Sequence, residues 1–364
     1  MLDSLQQYGS GAIESVLLAG GEDDAAQVAA LSPLVGGRVV RLRGLEMAFR
    51  RRRSVEALVS GVDHAASRAC RDGEVDVVFD AAQFYGWRFP FPVVSWLPDF
   101  QHRHLPHMFP RSRWWRREVG YRMQARHSTR VLVSSEAAAD DIRRFYPAAA
   151  ARTRVARFAV LPPALDPVDV RHRLGLPERY LALPNQFWKH KNHRLVVEAL
   201  ALLQEDGVKP VVIATGNTRD ARFPGLYDEL SALVERQELG DQFRSLGHIP
   251  YADVMSIVRT SIGLLNPSLF EGWSTTVEEA KALGVPLLLS DLPVHREQGG
   301  RLVRYFQPDS ALALARVMRD AWTSWPAGPR PEMEREALAS ATERRAEFGR
   351  AVEAVLLEAG EGAA

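Results

Sequence analysis

Two carboxylates eight positions apart, Glu271 and Glu279, stand in the run Asn266-Pro-Ser-Leu-Phe-Glu-Gly-Trp-Ser-Thr-Thr-Val-Glu-Glu-Ala-Lys-Ala-Leu-Gly, which follows an apolar segment. The order is a strand, a loop carrying Gly272, and a helix that opens over Ser274, Thr275 and Thr276. Free backbone N–H groups at such a start, aided by the hydroxyls and the helix dipole, form an anion site. Glu271 lies before the helix and Glu279 in its first turns, so one carboxylate can face the loop mouth while the other lies deeper on the same side. This arrangement suits a ligand with hydroxyls at both ends and a diphosphate between, because carboxylates accept from hydroxyls while the helix end takes the anion. From spacing alone, a capped helix whose acids complement its own dipole remains open.

A second group lies in Leu183-Pro-Asn-Gln-Phe-Trp-Lys-His-Lys-Asn-His. It gathers Lys189, Lys191, His190, His193 and the amides Asn185 and Gln186 between a predicted strand and a predicted helix. Loops at the carboxyl edge of an open α/β sheet are where such folds bind ligands. Lysines are scarce, the others being Lys209 and Lys281, so two of them one residue apart in this loop stand out. An ammonium there would stabilise charge that grows on a departing diphosphate. His190 and His193 have a spacing that could hold a metal, but no carboxylate or cysteine lies near them in sequence, and no metal is expected.

The elements that must position these loops follow from the apolar pattern. The chain has 364 residues, 46% of them hydrophobic and 25% charged, with a net charge of +1. At roughly 100–200 residues per domain this length favours two domains. β-branched apolar runs alternate with amphipathic runs throughout, the signature of parallel, doubly wound sheets. Strands are expected over 15–19, 37–42, 75–80, 92–96, 129–134 and 155–161, then over 180–183, 211–215, 245–246, 262–266, 286–290 and 302–305. Expected helices include 55–71, 136–145, 193–204, 227–237, 251–259, 276–283, 310–323 and a closing helix over 332–358. The proline-dense Leu161-Pro-Pro-Ala-Leu-Asp-Pro admits neither helix nor central strand. The expected division is a first Rossmann-like domain over 1–164, a second over 165–331, and a terminal helix over 332–364 that returns to the first.

Cys70, the chain's one cysteine, cannot form an internal disulfide and reads as a small core residue. No apolar run approaches the roughly 18 residues of a membrane span, and the chain reads as cytoplasmic. Residues 1–168 hold 23 Arg against 18 acidic residues, the remainder 23 basic against 27 acidic. Basic residues concentrate at 50–53 and at Arg111, Arg113, Arg116 and Arg117 around Trp114 and Trp115. These could meet an anionic membrane surface peripherally, or simply be solvated helix faces; no nucleic-acid partner is expected.

Taken together, these motifs resemble the family-4 retaining glycosyltransferases of the GT-B fold, two Rossmann-like domains facing a cleft. The E-x7-E motif is matched by Glu271 and Glu279, the base-side turn by Leu246-Gly-His-Ile-Pro, and the following strand by Leu287-Leu-Leu-Ser-Asp-Leu-Pro-Val-His. Pro184-Asn-Gln-Phe-Trp-Lys-His-Lys-Asn-His and Ser95-Trp-Leu-Pro-Asp-Phe-Gln-His look like one bacterial subgroup. The resemblance implies a nucleotide diphosphate sugar donor, a hydroxyl acceptor, no further cofactor, and retention at the anomeric carbon. It implies Lys191 at the diphosphate, Glu271 at the donor sugar, Glu279 at the ribose, and Gly272, Trp273, Ser274, Thr275 and Thr276 around the phosphates. Ile249 would meet the base with its backbone, Asn185 and Gln186 would lie along the donor, and Asp99 and His102 near the reacting carbon.

Two departures qualify it. The family's partner arginine falls on Gln186, with Lys189 the nearest replacement. The family opens with a strand and a Gly-rich turn, whereas the segment beginning at Met1 looks like the helix after them, so the first domain is expected to lack that opening strand. Gly20-Gly21 is a poor substitute, because Glu22, Asp23 and Asp24 would repel a diphosphate. A nucleotide-sugar-binding protein without transferase activity, or a nucleotide-sugar epimerase of this architecture, therefore stays open.

Overall fold

The structure, a computed structural model, describes residues 1–20, 25–46, 49–80, 83–163, 165 and 170–361. Gly21, Glu22, Asp23 and Asp24 of the discounted turn, and part of the proline-dense segment, lie outside the described residues. The chain divides into two compact units: Met1–His102, Pro110–Phe158 and Arg344–Ala364 in the first, and Arg103–Phe109 and Ala159–Glu343 in the second.

In the first unit α1 (Leu2–Tyr8) is followed by β1 (Leu17–Gly20), α2 (Ala25–Leu31), β2 (Val39–Leu42), α3 (Arg50–Ser60) and α4 (His64–Asp72). Then come β3 (Val78–Asp80), β4 (Val93–Trp96), α5 (Gln101–His104), whose last two residues fall in the second unit, α6 (Arg111–His127), β5 (Arg130–Val133), α7 (Glu136–Phe145) and β6 (Thr153–Val155). β1 and β2 pair in parallel as one sheet, and β3, β4, β5 and β6 form a second parallel sheet in that order. Met1–Tyr8 does contain a helix; it docks on the end of the chain, where Leu5 packs with Phe348, Val352 and Val355. The helix expected over 55–71 is two helices. Gly61 at φ +83 ends α3, and the Asp63 side chain accepts from the Ala66 N–H to start α4, a left-handed C-cap followed by a side-chain N-cap. Cys70 lies on α4, 1% exposed, and burial pushes its thiol up to about 12.

The second unit runs through α8 (Val170–Leu174), β7 (Leu181–Leu183), α9 (His193–Glu205), β8 (Val212–Ala214), α10 (Leu226–Arg236), β9 (Phe243–Ser245) and α11 (Tyr251–Thr260). It continues with β10 (Gly263–Asn266), α12 (Thr275–Ala282), β11 (Leu287–Ser290), α13 (Pro293–Gln298), β12 (Val303–Phe306), α14 (Ala311–Ser324) and α15 (Pro331–Glu361). The last helix begins in the second unit and ends in the first. The six strands are parallel in the order β12-β11-β10-β7-β8-β9. Leu181, Leu183, Leu264, Leu265, Leu288 and Leu289 are buried to 0–1%, as expected for strands covered by helices on both faces. The chain winds outward from β7 to β9 and then returns to β10 beside β7. That reversal is the topological switch point, where a crevice opens beyond the strand ends.

Among the described residues no helix is long and apolar enough to cross a membrane.

Candidate active site

The loops leaving β7 and β10, the two strands at the switch point, carry the two groups of residues that sequence singled out. The first loop closes with a short 3-10 turn, Lys189–Lys191, and with Asn192 in the left-handed region at φ 57, from which α9 starts. Asparagine tolerates that conformation better than most side chains. The second loop runs from Asn266 to Ser274, the N-cap position of α12. The two are tied together: the Leu269 N–H donates to the His190 carbonyl at 2.8 Å, and Lys191 Nζ donates to Glu271 Oε1 at 2.6 Å.

Glu271 is held from its own loop as well. Ser268 Oγ donates to it at 2.7 Å, and Asn266 Oδ1 stands 2.6 Å from that hydroxyl. Burial pushes the Glu271 carboxyl up, but Lys191, His295 and the bonds from Lys191 and Ser268 outweigh it and hold the group down at about 2. It is a fixed anion at neutral pH.

Glu279 sits in a different setting. Tyr251, the first residue of α11, donates its hydroxyl to Glu279 Oε1 at 2.8 Å. Burial is the larger influence and lifts this carboxyl to about 7, against that hydrogen bond. The turn holding Ile249 directly precedes Tyr251, so that turn and Glu279 are joined by one phenol.

The start of α12 is braced internally. Ser274 is 2% exposed; its N–H donates to Gln298 Oε1 at 3.1 Å, while Gln298 Nε2 donates to the Ser274 carbonyl and to Glu278. Its hydroxyl meets Asn266 Nδ2 at 3.0 Å and Thr276 Oγ1 at 3.1 Å. Ser274 therefore acts as a brace rather than an open anion donor, which leaves Gly272, Trp273, Thr275 and Thr276 as the accessible part of that turn. Behind it, buried His295 points Nδ1 at the Ser290 carbonyl at 2.8 Å, and burial lowers its basicity. Tyr251, His295, Gln298 and Asn266 were not singled out by sequence. Asn266 and His295 were visible inside the quoted runs; Tyr251 and Gln298 lie on neighbouring elements without a motif of their own.

In the first loop, Asn185 is buried and its Nδ2 has no hydrogen-bond partner among the described residues. Gln186 Oε1 accepts from the Asn217 N–H at 2.8 Å. Lys189, expected to replace the charge missing at Gln186, is not brought to Glu271. Its Nζ lies 4.5 Å from the centroid of the Phe223 ring, so the two lysines of the loop face different surroundings.

The first-unit residues are held by their own neighbours. His102 is 0% exposed, with Nε2 at 3.2 Å from Glu118 Oε2, an oxygen that also accepts from the Tyr146 hydroxyl at 2.7 Å. A ring so enclosed cannot touch a substrate, and this corrects its expected place near the reacting carbon: His102 is a core histidine. Asp99 pairs with Arg117 at 2.6 Å and accepts from the Gln101 N–H at 2.8 Å at the head of α5. Trp114 donates to the His102 carbonyl at 2.7 Å. His104, in contrast, stacks on Phe270 with centroids 4.9 Å apart, next in sequence to Glu271. Among the described residues no cluster of three His, Cys, Asp or Glu could hold a metal.

Residues 170–338 match the family model of the group 1 glycosyl transferases. The match covers somewhat less than half of the chain, and the fold is GT-B, α/β with parallel sheets. A glycosyltransferase from Rickettsia africae superposes with a TM-score of 0.68 at 12% identity, over 99% of this chain and 91% of that one. Anabaena HepE, solved with UDP and glucose, gives 0.66 at 15% identity over 99% and 94%. Sucrose-phosphate synthase from Thermosynechococcus elongatus gives 0.63 at 18% identity over 91% and 83%. No curated protein matches in sequence.

Proposed function

We propose that the protein transfers a glycosyl group from a nucleoside diphosphate sugar to a hydroxyl acceptor, with retention at the anomeric carbon. The observation that carries this reading is the Lys191–Glu271 pair beyond the ends of β7 and β10, with Glu279 on the helix that follows. The cation suits the diphosphate, Glu271 the sugar hydroxyls and Glu279 the ribose hydroxyls, while the base meets the turn at Ile249. Asn185 Nδ2 offers a further buried donor to the same loop. HepE, of the same fold, was solved with UDP and with UDP-glucose, which supports a donor of that chemical class.

In the reaction the bond from the anomeric carbon to the diphosphate oxygen breaks and a bond to the acceptor oxygen forms on the same face. The acceptor proton passes to the departing diphosphate. Catalysis then rests on holding the donor and on stabilising the leaving group's charge, with Lys191 and the backbone N–H groups of Thr275 and Thr276 at the head of α12 in those roles. The arginines Arg111, Arg113 and Arg116, with Trp115 61% exposed on the same helix, support peripheral contact with an anionic membrane.

The test is to incubate the protein with nucleoside diphosphate sugars and a panel of hydroxyl acceptors, following released diphosphate and the anomeric configuration of the product. A retained glycoside whose formation depends on Lys191 is expected. Donor binding with neither transfer nor hydrolysis would replace the enzyme by a binding protein, and recovery of an isomerised donor would replace transfer by epimerisation.

A further inference from the structure

The second unit contains a cavity of about 740 Å³ between the start of α9, α10 and the loop before α10. Its wall is largely aromatic and aliphatic, with Phe187, Trp188, Phe223, Tyr227, Leu230 and Leu269 among the lining residues. Four cationic side chains line it against one acid, Glu229: Lys189, Arg194, Arg222 and Arg236. Arg194 is paired with Glu198, and Arg222 with Asp220. The Lys189 ammonium carries no carboxylate among the described residues and lies over the Phe223 ring.

His193, on the same wall, supplies a polar group of a different kind. Its ring stacks on Phe187 with centroids 4.3 Å apart, and it is 5% exposed. A hydrogen bond to the Asn185 carbonyl occupies one ring nitrogen, while Nε2 has no partner among the described residues. Burial keeps the ring neutral, its pKa lowered to about 3. With the proton held at the bonded nitrogen, Nε2 is an acceptor, and a buried acceptor left unmatched carries a desolvation cost. Apolar walls, an unneutralised ammonium and an unused acceptor define complementary features in a ligand.

We propose that this cavity binds a hydroxyl-bearing aromatic acid, its acidic group on Lys189, its ring between Trp188, Phe223 and Tyr227, and its hydroxyl donating to His193 Nε2. The site is distinct from the Lys191–Glu271 pair but built on the same loop. Trp188 and Lys189 line the cavity, and Lys191 pairs with Glu271. Its occupant is therefore separate from the sugar donor.

The full chain would be titrated by calorimetry with 6-hydroxy-2-naphthoate, with 2-naphthoate, which lacks the hydroxyl, and with 2,6-dihydroxynaphthalene, which lacks the acid. The hydroxy acid should bind about tenfold tighter than either relative, the value of one good hydrogen bond or ion contact. Lys189→Met should remove the advantage over the neutral compound, and His193→Phe, which keeps the stacking, should remove the advantage over 2-naphthoate. Equal affinity for all three compounds, unchanged affinities in Lys189→Met, or displacement of the probe by UDP would each overturn the assignment. If His193→Phe does not fold, the three-compound series on the native protein and the Lys189→Met arm still decide.

Discussion

Lys191 and Glu271, assigned to the diphosphate and the sugar of one donor, are a single ion pair 2.6 Å long that bridges the loops of two adjacent strands. Both side chains are about nine-tenths buried, so the pair has a structural consequence as well as a chemical one. Lys191→Met would leave a carboxylate enclosed without its cation, at a cost of roughly 3–5 kcal/mol. Lys191→Met combined with Glu271→Gln should recover a large part of that loss in urea unfolding at pH 7. Because the folded carboxyl titrates near 2 rather than at its ordinary 4.5, the stabilisation is present above pH 4.5 and fades as pH falls toward 2. A double variant no more stable than the single one would remove the burial argument.

Turnover separates the same lysine from a bulk charge effect. Lys191→Ala should raise the transfer barrier by roughly 2–4 kcal/mol if it steadies the leaving group, whereas Lys209→Ala should leave the rate near that of the native protein. Equal rates for the two variants would take Lys191 out of the reaction.

Glu279 behaves in the opposite sense to Glu271. Its folded pKa, raised to about 7, exceeds its ordinary value of 4.5, so between those pH values the folded state keeps a proton that the unfolded chain has released. Stability therefore falls as pH rises through that window, by about 3 kcal/mol in all, and Glu279→Gln should flatten the dependence. Glu279→Gln should weaken free nucleoside diphosphate, and Glu271→Gln only the sugar nucleotide. Calorimetry showing the same loss of free nucleotide in both variants would contradict the two-ended assignment.

His102 and Glu118 make a prediction of stability alone. His102→Ala leaves a cavity and removes a partner from buried Glu118, so a loss of about 2–4 kcal/mol is expected, with transfer per folded molecule retained. A variant that folds as stably as the native protein yet turns over slowly would return His102 to the reaction.

Gly216 guards the geometry of the first loop. At φ +141, a Cβ there would stand 2.5 Å from the Asn185 carbonyl oxygen. Gly216→Ala should cost about 1–3 kcal/mol and weaken donor binding by displacing Asn185, read by unfolding and calorimetry together. Unchanged stability and affinity would show that the approach is not needed.

Elements were legible where local chemistry decides them. Ser135 with Glu136–Phe145 was readable because the cap and the apolar stripe both lie within the helix itself. The strand expected over 155–161 lies earlier, at Thr153–Val155, and shares only Val155 with the expectation, since apolar content shows burial but not which residues find a ladder partner. Glu271 and Glu279 were readable as a spaced pair, but their opposite titration was not, because Lys191 and Tyr251 reach them from elements 80 and 28 residues away. His102 misled for the same reason: its partner Glu118 is 16 residues on. The Lys189 cavity draws its walls from separate segments and left no local pattern.

Cys70 is the chain's one thiol, enclosed in the first unit and held as the unreactive protonated form. Alkylation by a thiol reagent can therefore proceed only when that part of the molecule opens, so its rate is a clock for opening of the first unit, in which the second unit has no sulfhydryl to interfere. A cysteine introduced on the surface of the second unit would label against a silent background, which makes the native chain ready for site-directed spectroscopic probes without any prior substitution.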